Sequence, residues 1–202
     1  MPTGGLTSTD EITGTYRVVA EKGFFGATVS DIVPAAGVSR TTFYEHFDGK
    51  QHCMLAAFAT ATEIVLSASA EAVREVLHEG WRAALGAGLG AYFDVIRAEP
   101  ATARMIVEVR TLGADGITAS AAAQARHVGQ IVRLATRLAS NGGRDIGALT
   151  PGLRLVIAGI EEQVAQALQS GNPGLLDEIE STAVDLLGAI GARAGLTVSR
   201  GT

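Results

Sequence analysis

Between Glu21 and Lys50 the chain reads EKGFFGATVSDIVPAAGVSRTTFYEHFDGK, and the second half of that stretch concentrates side chains able to do chemistry. Ser39, Arg40, Thr41, Thr42, Tyr44 and His46 crowd into one short run. Small hydroxyls at a helix N-terminus approach phosphate oxygens closely, and the helix dipole favours an anion there. The Arg40 guanidinium can fork onto guanine in a major groove, and Thr41 can touch a thymine methyl. This is the chemistry of a helix that lies in a DNA groove.

Such a helix needs a second one to hold it, and the sequence supplies it. Thr28 opens a helix with Asp31 as its capping-box partner, and Gly37 ends it with the positive φ that a tight turn wants. Ser39 caps the next helix, which ends near Phe47 ahead of the Asp48-Gly49 turn. Ile32, Val33, Val38, Phe43 and Phe47 pin the pair together and leave the polar run facing outward. A preceding helix is expected from about Thr9 to Lys22, stopping at Gly23, with Gly14 costing it roughly 1 kcal/mol relative to alanine.

Beyond Lys50 the periodicity is helical throughout, which predicts an all-α fold of about nine helices. A long helix runs from Lys50 towards His78 on Leu55, Phe58, Val65, Val73 and Val76, and Gly80 closes it. The next spans about Trp81 to Ala98, with Leu85, Leu89, Phe93 and Ile96 on one face and Pro100 after it. A short helix, ATARMIVEVRTL, precedes a glycine-rich break at Gly113 to Gly116, and another helix is expected over Thr118 to Ala139. Thr150-Pro151 and Asn172-Pro173 each place a capping side chain before a proline and open two strongly striped helices. Disorder is expected only in the first few residues and the GLTVSRGT tail.

Composition restricts the partners. The 202 residues are 47% hydrophobic and 18% charged, with no apolar run near the 18 or so residues that a membrane span needs, so no membrane association is expected. The start, MPTGGLTSTDE, has no signal-peptide pattern, and Cys53 is the single cysteine, which suggests a reducing, cytoplasmic setting. The net charge of −5 runs against the usual basic balance of a nucleic-acid domain. Within the first fifty residues Arg17, Lys22, Arg40 and Lys50 face Asp10, Glu11, Glu21, Asp31, Glu45 and Asp48. DNA binding must then rest on where charges sit, and its salt dependence should be shallow because few phosphates are neutralised.

From about Ile12 to Leu55 the sequence resembles the tetracycline-repressor (TetR) family of bacterial transcriptional regulators. The order glycine, aromatic, threonine, Asp-Ile, Ala-Gly-Val-Ser, Phe-Tyr-x-His-Phe and lysine carries the resemblance. It implies a DNA-binding domain at residues 1–50 on a helical domain at 51–202 that dimerises and binds a small ligand. By position it implies phosphate contacts at Thr28, Thr42, Tyr44, His46 and Lys50, and base contacts at Ser30, Arg40, Thr41 and Tyr44. Three departures weaken the match: Pro34 inside the second helix, an N-terminal arm without a Lys/Arg cluster, and Glu45 on the recognition helix.

The body offers fewer signals. Gly86, Gly88 and Ala91 fit the dinucleotide fingerprint, but no strand precedes them, so close helix packing or a soft helix is the better reading. No catalytic motif or metal-spaced histidine pair occurs, and adjacent His52 and Cys53 diverge on one helix, so neither an enzyme nor a metal or cofactor site is expected. Glu108, Gln124 and His127, with Trp81, Tyr92, Phe93 and Met105 as apolar lining, are the candidate ligand-binding residues. With few cations nearby, the expected effector is apolar or weakly polar. The last two helices, with Ala158, Gly159 and Ala167 as small contact residues, are the expected homodimer interface.

The functional expectation is a ligand-responsive regulator, most simply a repressor, that binds double-stranded operator DNA. The alternative is a helical ligand-binding or scaffold protein with a vestigial DNA head.

Overall fold

The computed structural model describes residues 8–139, 146–172 and 174–196. The described residues form nine α-helices: α1 (Ser8–Gly26), α2 (Val29–Ala36), α3 (Arg40–His46), α4 (Lys50–Val76), α5 (Trp81–Ala98), α6 (Pro100–Glu108), α7 (Gly113–Leu138), α8 (Thr150–Ser170) and α9 (Gly174–Arg193). Short 3-10 turns follow α4 and α6 and precede α8, and there is no strand among the described residues. Of the tail expected to be disordered, Gly195 and Leu196 are ordered, Leu196 being buried with its amide bonded to the Gly191 carbonyl at 3.0 Å; the rest of that tail, the first residues, the first helical residues' side chains and Pro173 lie outside the described residues.

The chain divides into two compact units. One holds residues up to Thr62 together with Glu99–Ser120; the other holds Glu63–Ala98 and the chain from Ala121 onward. Helix α4 begins in the first unit and ends in the second.

In the first unit α1 packs on α2 and on α6. A Cβ at Gly14 would stand 2.5 Å from the Ala36 amide nitrogen and 2.6 Å from its Cα. The residue that looks like a helix weakness is thus what lets α1 lie against the end of α2. At Gly23 the backbone leaves helical geometry (φ 69°), so the regular part of α1 stops where the sequence indicated. The core joins Val18, Ala27, Ile32, Val38, Phe43, Phe47 and Cys53, all buried, with Val33 partly buried against them. Cys53 is fully buried, and its sulfur lies 2.9 Å from the Thr15 hydroxyl. By length and composition the Lys50–Glu79 segment is apolar enough to cross a membrane, yet Cys53, Met54, Ala57, Phe58, Ala61, Val65 and Leu66 are buried in this protein.

In the second unit α9 packs against both α5 and α8. Leu153, Ile157, Ile160 and Val164 of α8 and Leu176, Ala183 and Leu187 of α9 are buried, as their stripes require. Trp81 of α5 packs against Gly191, where a Cβ would come within 2.0 Å of its indole nitrogen. Arg97 bonds Asp177 and Glu180 at 2.6 and 2.7 Å, and Arg82 bonds Asp185 at 2.6 Å, so exposed ion pairs tie α9 to α5. Of the glycines of α5, Gly88 serves packing, since a Cβ there would meet Val73 at 2.9 Å, whereas Gly86 has nothing within 4 Å.

Two boundary expectations are corrected. The break falls at Gly113 alone, whose φ of 70° separates the 3-10 turn from α7; α7 then includes Gly116, where a Cβ would strike the Val109 carbonyl at 1.9 Å. Thr150 does not cap α8 but is its first residue, with Leu149 in the cap position and no side-chain cap bond. A 3-10 turn, Ile146–Leu149, leads into the helix instead. Asn172 does accept from the Gly174 amide, at 3.2 Å. Pro34 leaves α2 unbroken for two more residues, since the helix is about to end there anyway.

Candidate nucleic-acid interface and cavity

The helix-turn-helix is assembled by its caps. Thr28 accepts from the Asp31 amide while the Asp31 carboxylate accepts from the Thr28 amide and hydroxyl, at 2.9 and 2.7 Å. Gly37, at φ 70°, lets Val38 and its own amide bond back to Val33 and Pro34, satisfying the last carbonyls of α2. Ser39 then accepts from the Thr42 amide at 3.0 Å and starts α3. With Phe43 and Phe47 buried, Arg40, Thr41, Tyr44, Glu45 and His46 are exposed on the other side. Ser30 of α2 is exposed too, and its hydroxyl accepts from Arg40 at 3.4 Å, which joins the two helices into one polar surface. Thr42 is half-buried, its hydroxyl 2.8 Å from that of Ser39.

The cations sort themselves. Arg17 donates to the Ala35 carbonyl at the end of α2, at 3.0 Å, and Lys22 bonds Asp31 at 2.5 Å. Lys50 donates to the carbonyls of Phe24 and Ala27 at 2.9 and 2.8 Å, with its ammonium over the Phe24 ring. Three of the four positive side chains in the first fifty residues thus hold the fold. Arg40 makes only the long contact to Ser30 and lies 5.8 Å from the centre of the Tyr44 ring. It is the exposed cation on the polar surface that α2 and α3 share.

Asp31 couples this architecture to pH. Its carboxyl is held down to about 2, chiefly by the hydrogen bond from Lys22 and next by that from Thr28. A carboxyl whose pKa is depressed on folding stabilises the fold above its ordinary pKa of 3.8, and that contribution is lost as the pH falls towards 2. In urea titrations across that window, Asp31→Asn should show a shallower fall of stability with acid than the wild-type chain. Parallel slopes would contradict the assignment.

The second unit contains a cavity of about 480 Å³. Leu66, Leu85, Leu89, Ile131, Leu134 and Ile157 give it apolar walls. Of the seven candidate ligand residues, Tyr92 and His127 line it, their rings 5.8 Å apart edge to face. Gln124 stands behind the wall and donates to Glu161 at 2.7 Å; Glu161 itself lines the cavity. Phe93 is fully buried beside Tyr92, and Trp81 is buried on Gly191. Met105 and Glu108 belong to the first unit, where Met105 is buried and the Glu108 carboxylate accepts from the Phe24 amide. Reasoning from sequence missed Arg126, Arg133 and Arg137, which line the cavity from α7. Their spacing, together with that of His127 and Gln130, was the available signal: one helical face carries them all. Among the described residues no cluster of three His, Cys, Asp or Glu side chains is placed to hold a metal ion.

Residues 12–57 match the family model of bacterial regulatory proteins, tetR family. No curated protein sequence matches the chain. Solved structures do. The transcriptional regulator FadR from Bacillus subtilis, in complex with stearoyl-CoA, is 17% identical over 90% of this chain and 97% of its own, with a TM-score of 0.67. The fatty acid degradation regulator FadR from Bacillus halodurans is 17% identical over 91% and 97%, with a TM-score of 0.66. A TetR-family transcriptional regulator from Streptomyces coelicolor is 19% identical over 93% and 89%, with a TM-score of 0.65. The chain has the fold of TetR-family transcriptional regulators, with the tetR domain at its N-terminus.

Proposed function

We propose that the protein is a cytoplasmic, homodimeric regulator of transcription that binds operator DNA sequence-specifically and is released from it by a small molecule. It acts as a binding protein and carries no catalytic, metal or cofactor site. The observation that supports this most is the outward face of α3, on which Arg40 is the exposed cation left over after Arg17, Lys22 and Lys50 are committed to the fold. Ser30, Arg40, Thr41 and Tyr44 reach base edges, while Thr28, Ser39, Thr42, Tyr44 and His46 position the phosphates. Lys50 spends two of its three ammonium donors on carbonyls and has one left for a phosphate.

The reading domain is residues 1–50 and the ligand and dimer domain 51–202. Helices α8 and α9 supply the dimer contact: Leu155 and Leu186 are 77% and 50% exposed, and Gly159 faces open space. Ala167 is buried inside its own unit and takes no part. The effector enters the α7-lined cavity, whose apolar walls and arginines suit a molecule with an apolar body and an anionic head. Ligand that binds better to a dimer with wrongly spaced heads weakens operator binding by linkage. Helix α4, which contributes Leu66, Ser67, Ala70 and Val73 to the cavity and starts at Lys50, is the connecting element.

Arg40→Ala tests the DNA reading. In gel shifts on DNA flanking the gene, the variant should bind about 10 to 100 times more weakly, the worth of a bidentate base contact of about 1–3 kcal/mol. Unchanged binding, or no sequence-selective complex with folded wild-type protein, refutes it. The commitment of three cations to the fold favours a second reading, a ligand-binding protein with a vestigial head, and the same measurement separates the two.

A further inference from the structure

The middle of the face that α3 turns outward holds a carboxylate. Phe43 is the buried residue of this helix, and at about 100° per residue Glu45 stands about 200° round from it and Thr41 about 160°. The two side chains bracket the line opposite the buried ring, and both are exposed. Neighbouring carboxylates have partners: Asp31 accepts from Lys22 and Thr28, and Asp48 lies 3.4 Å from His52 Nδ1. Glu45 has no hydrogen bond or ion pair among the described residues. On a helix that meets DNA, such an acid works against binding unless a base supplies a donor, because the duplex carries one negative charge per about 1.7 Å.

We propose, resting on the DNA reading above, that Glu45 is a specificity-determining residue whose carboxylate accepts from the N4 amine of one cytosine in each half-site. The line opposite its packing side is the part of a helix that goes deepest into a major groove, while the flanks meet phosphates. Bases offer two donors there, cytosine N4 and adenine N6. Guanine and thymine present the acceptors O6 and O4, to which a carboxylate has nothing to donate. Adenine sets its amine beside the N7 acceptor, a pair that suits an amide able to donate and accept, and N7 turns a carboxylate away. Cytosine carries the amine without an N7. Repulsion between Glu45 and the phosphates is common to every sequence, whereas the cytosine amine offsets it at the right one. Glu45 thus lowers the affinity of the head in general and widens the gap between right and wrong sites.

Selection of bound sequences from random DNA, with the full-length wild type, Glu45→Ala and Glu45→Gln, tests this. The wild type should enrich a half-site with one cytosine that Glu45→Ala leaves open to any base. Glu45→Gln should turn that position to adenine, which a glutamine reads at N6 and N7. Replacing that cytosine pair in the selected site should weaken the wild type about tenfold, as single mismatches do, and Glu45→Ala by no more than about twofold. Glu45 is exposed and unpaired, so both variants should melt with the wild type. Relief of phosphate repulsion alone strengthens every site alike. A uniform gain in affinity with no position altered therefore overturns the proposal and leaves the DNA reading standing, as does a motif whose cytosines all survive in Glu45→Ala. A folded wild-type protein that enriches no sequence overturns both.

Discussion

Phe43→Ala is expected to destabilise the first unit by about 3–5 kcal/mol and to abolish operator binding, because the lost transfer energy is compounded by the cavity left behind. Phe43 is fully buried, with Phe47 tilted against it at 5.6 Å and Ile32, Val38 and Val18 in the same cluster. Within the bounds of α3, Arg40–His46, it is the one buried side chain, with Phe47 anchoring the helix just past its end. A helix this short has no stability of its own and exists by tertiary packing. Domains hold only about 5–15 kcal/mol in total, so the loss takes a large share of it. Amide hydrogen exchange over α2 and α3 measures the effect locally. A change under about 1 kcal/mol would mean that the cluster collapses around the missing ring and that α3 is held some other way.

Leu155→Glu combined with Leu186→Glu is expected to convert the protein to a monomer and weaken operator binding by at least about 100-fold. The two heads of a helix-turn-helix dimer address half-sites roughly one DNA turn apart, and linking two modest binders multiplies their affinity by about 10²–10⁴. With Arg40 the principal exposed cation per head, a monomer has little to hold it. Both leucines are exposed in one chain, so charges there disturb folding by no more than about 0.5 kcal/mol. Far-UV circular dichroism should stay unchanged while sedimentation reports the monomer. A variant that remains dimeric places the interface elsewhere.

Local features of the sequence were enough to locate the helix-turn-helix. Thr28, Asp31, Gly37 and Ser39 each act on partners three or four residues away, and each does in the structure what its type and spacing indicate. The striped faces of α5, α8 and α9 were legible for the same reason, since burial follows a period within a single helix. What was not legible depends on which segments meet. Gly14 reads as a cost until Ala36 is seen against it, and Gly116 reads as a breaker until the Val109 carbonyl is in place. The ligand candidates show the limit most plainly. Tyr92 and His127 lie on the same cavity, whereas Met105 and Glu108, similar in type and closer in sequence to Tyr92, fall in the other unit. The resemblance implied a phosphate contact for Lys50; that it also holds the carbonyls of Phe24 and Ala27, at the end of α1 and just beyond it, is something no pattern around Lys50 reveals.

The buried pairing of Cys53 with Thr15 gives the protein an internal clock. Cys53 is the chain's single thiol, and it lies fully buried in the first unit with its sulfur against the Thr15 hydroxyl. A thiol in that position is inert until the helices around it part, so its rate of alkylation counts openings of the first unit and of nothing else. The chemistry needs no engineered label, and the signal from the helical body is zero because that body has no cysteine. Any event that loosens or tightens the first unit therefore leaves a kinetic trace at one native sulfur atom.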